Sequence, residues 1–423
     1  MDARELEKGP ATAAWKTALA PAVLVLCLLL SVVLAVARPL PHAHKYDLAV
    51  GLTLRLLMIW LLYRVVPSWV FRKGFLLIVL LYGLVMGTVQ LATVDPQSEL
   101  VPHYASVFSA MKEGRNPYAC GTIYHEGEFK KPVYGDFNYP PMEIYPYWAA
   151  SVIAGRWTIG VLTATMLLLQ ALACLVFVLT CVKVRLKCLL PFMPIFLFEE
   201  VHTNPAMTLL AVALILWAVT KSRERPGRGY RYVTAALFGV GLMTKFLVIP
   251  LAAAYYANRL GGRGAGGEGR RWLDIALEAG TTLGTALLLM APFGVVPVLK
   301  NTVVFNLVLK DRAALTTFFP NVLSGLMSWL RLDTFYPFLA VALLAAAIWA
   351  ASKLELFSGL LAAAFTFLLV APTPRSQFIP SVLYIAVVGI IMARGERGAI
   401  RPAALSSSGA SARVVPADRR ARA

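Results

Sequence analysis

Trp157 to Val182 reads WTIGVLTATMLLLQALACLVFVLTCV, closed by Arg156 before it and Lys183 after it. A helix rises about 1.5 Å per residue, so about 20 apolar residues cross the roughly 30 Å hydrocarbon layer. This run has the length, and it holds no Asp, Glu, Lys, Arg or His to make the crossing costly. Comparable stretches fall at about 20–37, 48–66, 74–93, 188–199, 205–220, 232–244, 246–257, 273–298, 336–351, 354–370 and 380–393. The expected fold class is therefore an all-α polytopic membrane protein with about 12 transmembrane helices.

Composition agrees. The 423 residues are 59% hydrophobic and only 15% charged, with mean hydropathy +0.69, against a charged share of about 25% in soluble domains. A transmembrane barrel would show alternating segments of about ten residues. A large soluble catalytic domain would need a polar stretch of about 100 residues, and the chain has none.

The net charge of +18 marks orientation rather than nucleic-acid binding. With the N-terminus cytoplasmic, 26 of the 40 Lys and Arg residues fall on cytoplasmic segments and 13 on the opposite side, while the acidic residues divide 10 and 12. A bias carried by Lys and Arg alone is what the positive-inside rule expects. The organisation is then a cytoplasmic N-terminus (1–19), a polytopic domain in the cell membrane (20–393) with an outer loop at 94–145, and a basic, disordered cytoplasmic tail (394–423). The first apolar run lacks a small-residue cleavage site and reads as a retained anchor. Of the five cysteines only Cys120 falls outside, so no external disulfide framework is expected.

The outer loop is the longest polar stretch, and loops of that length usually carry function. Val101, Tyr104, Phe108 and Met111 put one apolar stripe on a short helix suited to the membrane interface. Gly114 ends it, and Asn116-Pro117-Tyr118 forms a turn. The Gly135-Asp136-Phe137-Asn138-Tyr139-Pro140-Pro141 run cannot be helical, because a proline pair removes donors and forces extended geometry, and a further amphipathic piece from Met142 to about Gly155 carries Tyr145, Tyr147 and Trp148. On the same side, Glu199-Glu200-Val201-His202-Thr203-Asn204-Pro205 follows one short apolar run, Lys245 separates two others, and Arg375 precedes the last. Interrupted apolar segments with charges at the breaks point to a cavity opening outward.

Tyr104-Ala105, Gly114-Arg115-Asn116-Pro117-Tyr118 and Phe137-Asn138-Tyr139-Pro140-Pro141-Met142-Glu143 resemble the first catalytic loop of the polytopic GT-C glycosyltransferases, above all glycosyltransferase family 87. Weaker echoes are Thr203-Asn204-Pro205, Leu242-Met243-Thr244-Lys245-Phe246 with Pro250, and Pro320-Asn321-Val322-Leu323-Ser324-Gly325. That family uses polyprenyl-phosphate sugars and includes bacterial mannosyltransferases. The resemblance implies inverting transfer of a sugar, with mannose as the family's frequent choice, from a polyprenyl-phosphate donor to a lipid-linked or glycan acceptor hydroxyl on the outer face. The partners are then donor, acceptor and membrane lipids, with no nucleic acid.

Such transfer needs a carboxylate to take the acceptor's proton and cationic groups around the leaving phosphate. In the family the base lies just ahead of the Tyr-Ala helix. Here Asp95 and Glu99 stand nearest, Asp95 closer in residue type and Glu99 in position, with two extra spans preceding the loop. The resemblance adds Tyr104, Tyr118 and Tyr139 as substrate contacts, and His103 beside Tyr104 is a candidate acceptor partner. Glu199, Glu200, His202 and Asn204 would orient the acceptor or serve as interface residues, and Asp136 and Glu143 bracket the Tyr-Pro-Pro turn as substrate contacts or caps. Lys245 and Arg375 are the phosphate candidates, Arg for bidentate contact and Lys as a point charge that otherwise snorkels. All five histidines (His42, His44, His103, His125, His202) fall outside, but no tetrad has recognised metal spacing, so no cofactor is expected and a divalent cation is not favoured. The competing readings are a lipid or solute transporter or flippase, which usually shows internal repeats, and a non-catalytic lipid-binding scaffold of GT-C type.

Overall fold

The computed structural model describes residues 100–119, 122–125, 132–135, 137–181, 205–225, 227–261, 268–309, 330, 335–370, 378–389 and 391–392. The stretches 20–37, 48–66, 74–93 and 188–199 lie outside the described residues, as does the tail.

The polar loop and the residues just after it contribute α1 (Leu100–Lys112), a two-stranded antiparallel hairpin of β1 (Thr122–His125) and β2 (Pro132–Gly135), and α2 (Ile144–Ala154) after a 3-10 turn at Pro141–Glu143. The hairpin is the one departure from helix among the described elements; its short strands had no separate signal in a stretch read only as polar loop. Gly114 ends α1 at φ +71°, a left-handed conformation that glycine adopts without steric penalty.

The long helices follow. They are α3 (Ile159–Thr180), α4 (Pro205–Glu224), α5 (Arg228–Leu242), α6 (Val248–Gly261) and α7 (Glu268–Met290). After a 3-10 turn come the short α8 (Val295–Leu299) and a π-helical stretch, Lys300–Leu309. The chain ends its described part in α9 (Tyr336–Ala351), α10 (Leu356–Val370) and α11 (Ile379–Gly389). Ile159–Thr180, Pro205–Glu224 and Trp272–Phe293 are long and apolar enough to cross a membrane; α9, α10 and α11 are apolar but shorter. The apolar run at 273–298 is not one continuous α-helix. Pro292 lacks the N–H that the ladder needs, and the chain passes through a 3-10 turn at Ala291–Phe293 before α8.

Several hydroxyls of α3 are satisfied within the helix. Thr158 caps α3, accepting from Val161 N at 3.4 Å, and the hydroxyls of Thr163, Thr165 and Thr180 donate to carbonyls one turn back at 2.7–2.9 Å. With these threonines paired within the helix, α3 presents Leu168, Leu172, Leu175 and Leu179 as an exposed apolar stripe. Leu273, Leu277 and Leu288 do the same on α7, and Phe338, Val341 and Trp349 on α9. Such faces suit lipid, not water. The opposite faces meet in a core around Phe177, Leu216, Phe238, Leu251, Leu360 and Tyr384.

Polar contacts gather at two ends of the bundle. At one, Trp157 Nε1 donates to the Val101 carbonyl (3.0 Å), Met142 N–H to the Met243 carbonyl (3.0 Å), and Tyr145 hydroxyl to the Leu289 carbonyl (3.2 Å). At the other, Arg223 pairs with Glu355 (2.9 Å), Asn258 Nδ2 donates to the carbonyls of Ala351 and Leu354 (both 2.9 Å), and Arg259 pairs with Glu278 (3.2 Å). Each of α5, α6 and α7 therefore runs from one end to the other, alternating in direction. The basic linkers at 221–231 and 258–261 share the end opposite the loop helices.

Candidate functional site

The motifs of the polar loop fold onto one another at the first end. In α1 the buried face comprises Leu100, His103, Tyr104, Val107 and Phe108, so the expected Val101–Tyr104–Phe108–Met111 stripe is rotated: Tyr104 and Phe108 are inside, while Val101 and Met111 are only partly covered. The rotation has a cause, since α1 packs against Phe137, Tyr147 and Trp157. Tyr104 lies 5.1 Å from Tyr147 and 5.9 Å from Trp157 between ring centroids, and Phe108 meets Trp157 edge-on at 5.1 Å. Tyr147, expected at the headgroup level, is fully buried in this cluster.

Asn116 explains why the turn after α1 needs that residue. Its Oδ1 accepts from Tyr118 N at 3.0 Å, an Asx turn, while its Nδ2 donates to the Phe293 carbonyl at 2.6 Å. Tyr118 then reaches back, its hydroxyl donating to the Tyr139 carbonyl at 2.7 Å, and its own carbonyl accepts from Asn301 Nδ2 at 2.8 Å. Pro140 is extended (φ −64°, ψ 155°) and delivers the chain into the 3-10 turn, where Met142 N–H is bonded to Met243 between α5 and α6. The Tyr-Pro-Pro turn is thus clamped from both sides.

That clamp buries Glu143. It makes no side-chain cap bond to α2, so the capping role open to it from sequence is not the one it fills. Glu143 Oε2 accepts from the Tyr104 hydroxyl at 3.1 Å, and Oε1 lies 3.5 Å from Lys245 Nζ, the two side chains being 0% and 7% exposed. Lys245 Nζ also stands 4.3 Å from the centroid of the Tyr139 ring, a cation–π contact. The lysine sits in the short break between α5 and α6, tightened by the Thr244 hydroxyl donating to the Gly241 carbonyl at 2.6 Å. It does not snorkel; it is turned inward and paired.

The electrostatics follow from burial. Tyr104 is held well above the ordinary phenol range, first by loss of solvent and then by the negative charge on Glu143. Burial draws the Lys245 ammonium below its usual value, and Glu143 opposes that shift. Burial also raises Tyr118. Both phenols stay protonated, as donors, while Glu143 and Lys245 compensate each other.

Of the residues singled out from sequence, the fold brings together His103, Tyr104, Tyr118, Tyr139, Glu143 and Lys245. His103 is 2% exposed and stacked on Phe137 at 5.0 Å, so it belongs to the aromatic core beneath the pair. Asp95, Glu99, Asp136, Glu199, Glu200, His202, Asn204 and Arg375 lie outside the described residues. Sequence reasoning missed Asn301 and Trp157, which tie the loop to the bundle. An amide just beyond an apolar run was the available signal for Asn301. Among the described residues no three His, Cys, Asp or Glu side chains gather as metal ligands. Comparison with family models, with curated proteins and with solved structures finds no match.

Proposed function

We propose that the chain is a polytopic membrane glycosyltransferase of GT-C type, with about 12 spans and both termini cytoplasmic, which transfers a hexose from a polyprenyl-phosphate donor to an acceptor hydroxyl on the outer face with inversion. One observation carries the reading. The separate motifs that resemble the family's catalytic loop converge on a single buried group, Tyr104, Tyr118, Tyr139, Glu143 and Lys245. It offers an ammonium for a phosphate and stands at the end of the bundle opposite the basic linkers, as an outward-facing site requires. The acceptor's proton falls to Asp95 or Glu99, just ahead of α1, and Arg375 is the second candidate for the phosphate.

A second reading, the lipid-binding scaffold, draws support from the mutual pairing of the group: Tyr104, Glu143, Lys245 and Tyr139 engage one another. The discriminating experiment is an assay of the purified protein in lipid bilayers against a panel of polyprenyl-phosphate hexoses and lipid-linked or glycan acceptors. Transfer from at least one donor is expected; no transfer across the panel, with the donor still bound, makes the scaffold the better reading.

A further inference from the structure

We propose that Glu143 is an internal competitor for Lys245: it holds the ammonium while the site is empty and reclaims it after sugar transfer, so that the leftover lipid phosphate is expelled. This regulation rests on reading the group as a donor-phosphate site.

The geometry is that of an exchangeable pair. Charge-assisted N–H···O bonds settle at about 2.7–2.9 Å, whereas Lys245 Nζ stands 3.5 Å from Glu143 Oε1. The ammonium is divided between that carboxylate and the Tyr139 ring at 4.3 Å. Glu143 does not follow the lysine, because its other oxygen is held by the Tyr104 hydroxyl at 3.1 Å and Tyr104 is locked among Phe137, Tyr147 and Trp157. Tyr139 is the partly exposed member of the group, and its ring covers the ammonium. An incoming phosphate therefore displaces Tyr139 and competes with Glu143 for Lys245.

The charges show where this competition matters most, which is at product release. A polyprenyl-phosphate sugar is a phosphodiester with one negative charge, matching the single charge on Glu143, so the exchange is nearly even. In the transfer step the bond from the anomeric carbon to the phosphate oxygen breaks and a bond to the acceptor oxygen forms. The acceptor's proton passes to the loop carboxylate, and the electron pair of the broken bond leaves with the phosphate. The product is a phosphomonoester that approaches two negative charges at neutral pH. Left alone with Lys245 it would be retained more firmly than the donor. Glu143 weakens the hold on donor and product by the same factor, and so shortens the stay of a product that would otherwise leave slowly. Stripped of Lys245 it is a buried carboxylate with the Tyr104 hydroxyl beside it, and an uncompensated buried charge is costly, which drives the pair to re-form.

The test uses the full-length protein in lipid nanodiscs and a short-chain polyprenyl monophosphate as probe, with affinities compared at each protein's pH of tightest binding. Glu143→Gln should bind the probe about 10–100-fold more tightly than the parent, because a charged competitor is gone. Tyr104→Phe keeps the ring but removes the hydroxyl that shares Glu143's charge, so Glu143 grips Lys245 harder and binding should weaken about two- to tenfold. Inorganic phosphate, as charge without chain, should follow the same order of variants at lower affinity. In turnover, Glu143→Gln should lower both kcat and the donor KM and show a burst of one transfer per protein, the mark of slow product release. Unchanged or weaker probe binding in Glu143→Gln overturns the competitor and leaves the donor site standing. If that variant does not fold, Tyr104→Phe decides, and unchanged or tighter binding there overturns it equally. A parent that binds neither probe nor donor removes the donor-site reading, and the competitor with it.

Discussion

Arg259, near the end of α6, donates from Nη2 to Glu278 Oε1 at 3.2 Å, holding a carboxylate that lies inside the apolar stretch of α7 and is 2% exposed. The pair joins two neighbouring helices at the end of the bundle opposite the candidate site. Beside it the Tyr256 hydroxyl and Thr282 Oγ1 are 2.6 Å apart, and Thr282 donates to the Ala235 carbonyl at 2.8 Å, bringing α5 into the same junction. Arg259 is 23% exposed while Glu278 is buried, so removing the arginine leaves a carboxylate that water partly reaches, at a cost of about 1–3 kcal/mol. Arg259→Ala should lower stability in detergent by that order, read from the thermal or denaturant midpoint. Combining Arg259→Met with Glu278→Leu should recover most of the loss; strictly additive losses would show that the pairing is not what matters.

Gly239 sets how closely α5 and α7 approach. A Cβ there would stand 2.5 Å from the Thr282 carbonyl oxygen and 2.7 Å from Thr285 Cβ, the first of these a backbone atom that cannot step aside. Small residues at such crossings let membrane helices pack by their backbones. Gly239→Ala should therefore cost about 1–3 kcal/mol, as overpacking does, measured as a lowered melting temperature. An unchanged midpoint would mean that the helices separate without penalty.

Among the described residues helix positions were legible because apolar length is a strong signal: Trp157–Val182 became α3 almost residue for residue, and the interruption at Lys245 marks a real break between helices. The turn at Asn116 and the stop at Gly114 were legible for the same local reason, since each depends on its own residue's geometry. The Glu143–Lys245 pair was not. Its members are 102 positions apart by their numbers, and each had an ordinary local role, cap or snorkel, that sequence alone favours as readily. The end of α7 was hidden as well, because Pro292 sits in an apolar run whose composition does not change there.

The shared end of Arg228, Arg231 and Arg259 fixes an accessibility test. Arg228 and Arg231 lie 3.9 and 3.7 Å from Asp274, and Arg259 reaches Glu278 one turn further along the same helix. In a cysteine-free background, Arg228→Cys should be shielded from an impermeant thiol reagent in intact cells, whereas Arg115→Cys, half-exposed beside α1, should be labelled. Labelling at position 228 and protection at 115 would invert the proposed orientation.

Lys245 should reveal itself by a pH limb. Only the ammonium binds phosphate, burial lowers its pKa, and Glu143 raises it. Deleting Glu143's charge removes the opposing influence, so in Glu143→Gln the lysine loses its proton at lower pH than in the parent, and donor binding should fail earlier on the alkaline side. Lys245→Ala should lose that limb and weaken donor use about 10–100-fold, the worth of a charge-assisted contact. A profile of donor KM against pH checks both, and an alkaline limb that stays in place in Glu143→Gln separates Lys245 from donor binding.

The remaining prediction concerns proton removal. Glu143 is bonded to the Tyr104 hydroxyl and has no measurable exposure, so an acceptor hydroxyl does not reach it even when Lys245 has turned to the donor phosphate. A hydroxyl is too weak an acid to attack unaided at neutral pH, and the base must come within about 3 Å of it. That leaves the loop carboxylates ahead of α1 as first candidates. Replacing the true base by its amide preserves size and most hydrogen bonds but removes proton acceptance, so turnover should fall about 10²–10⁴-fold with donor binding intact. The pattern is expected for Asp95→Asn or Glu99→Gln, with smaller losses for Glu199→Gln and Glu200→Gln. Parent-like transfer by all four variants would refute base catalysis from either region.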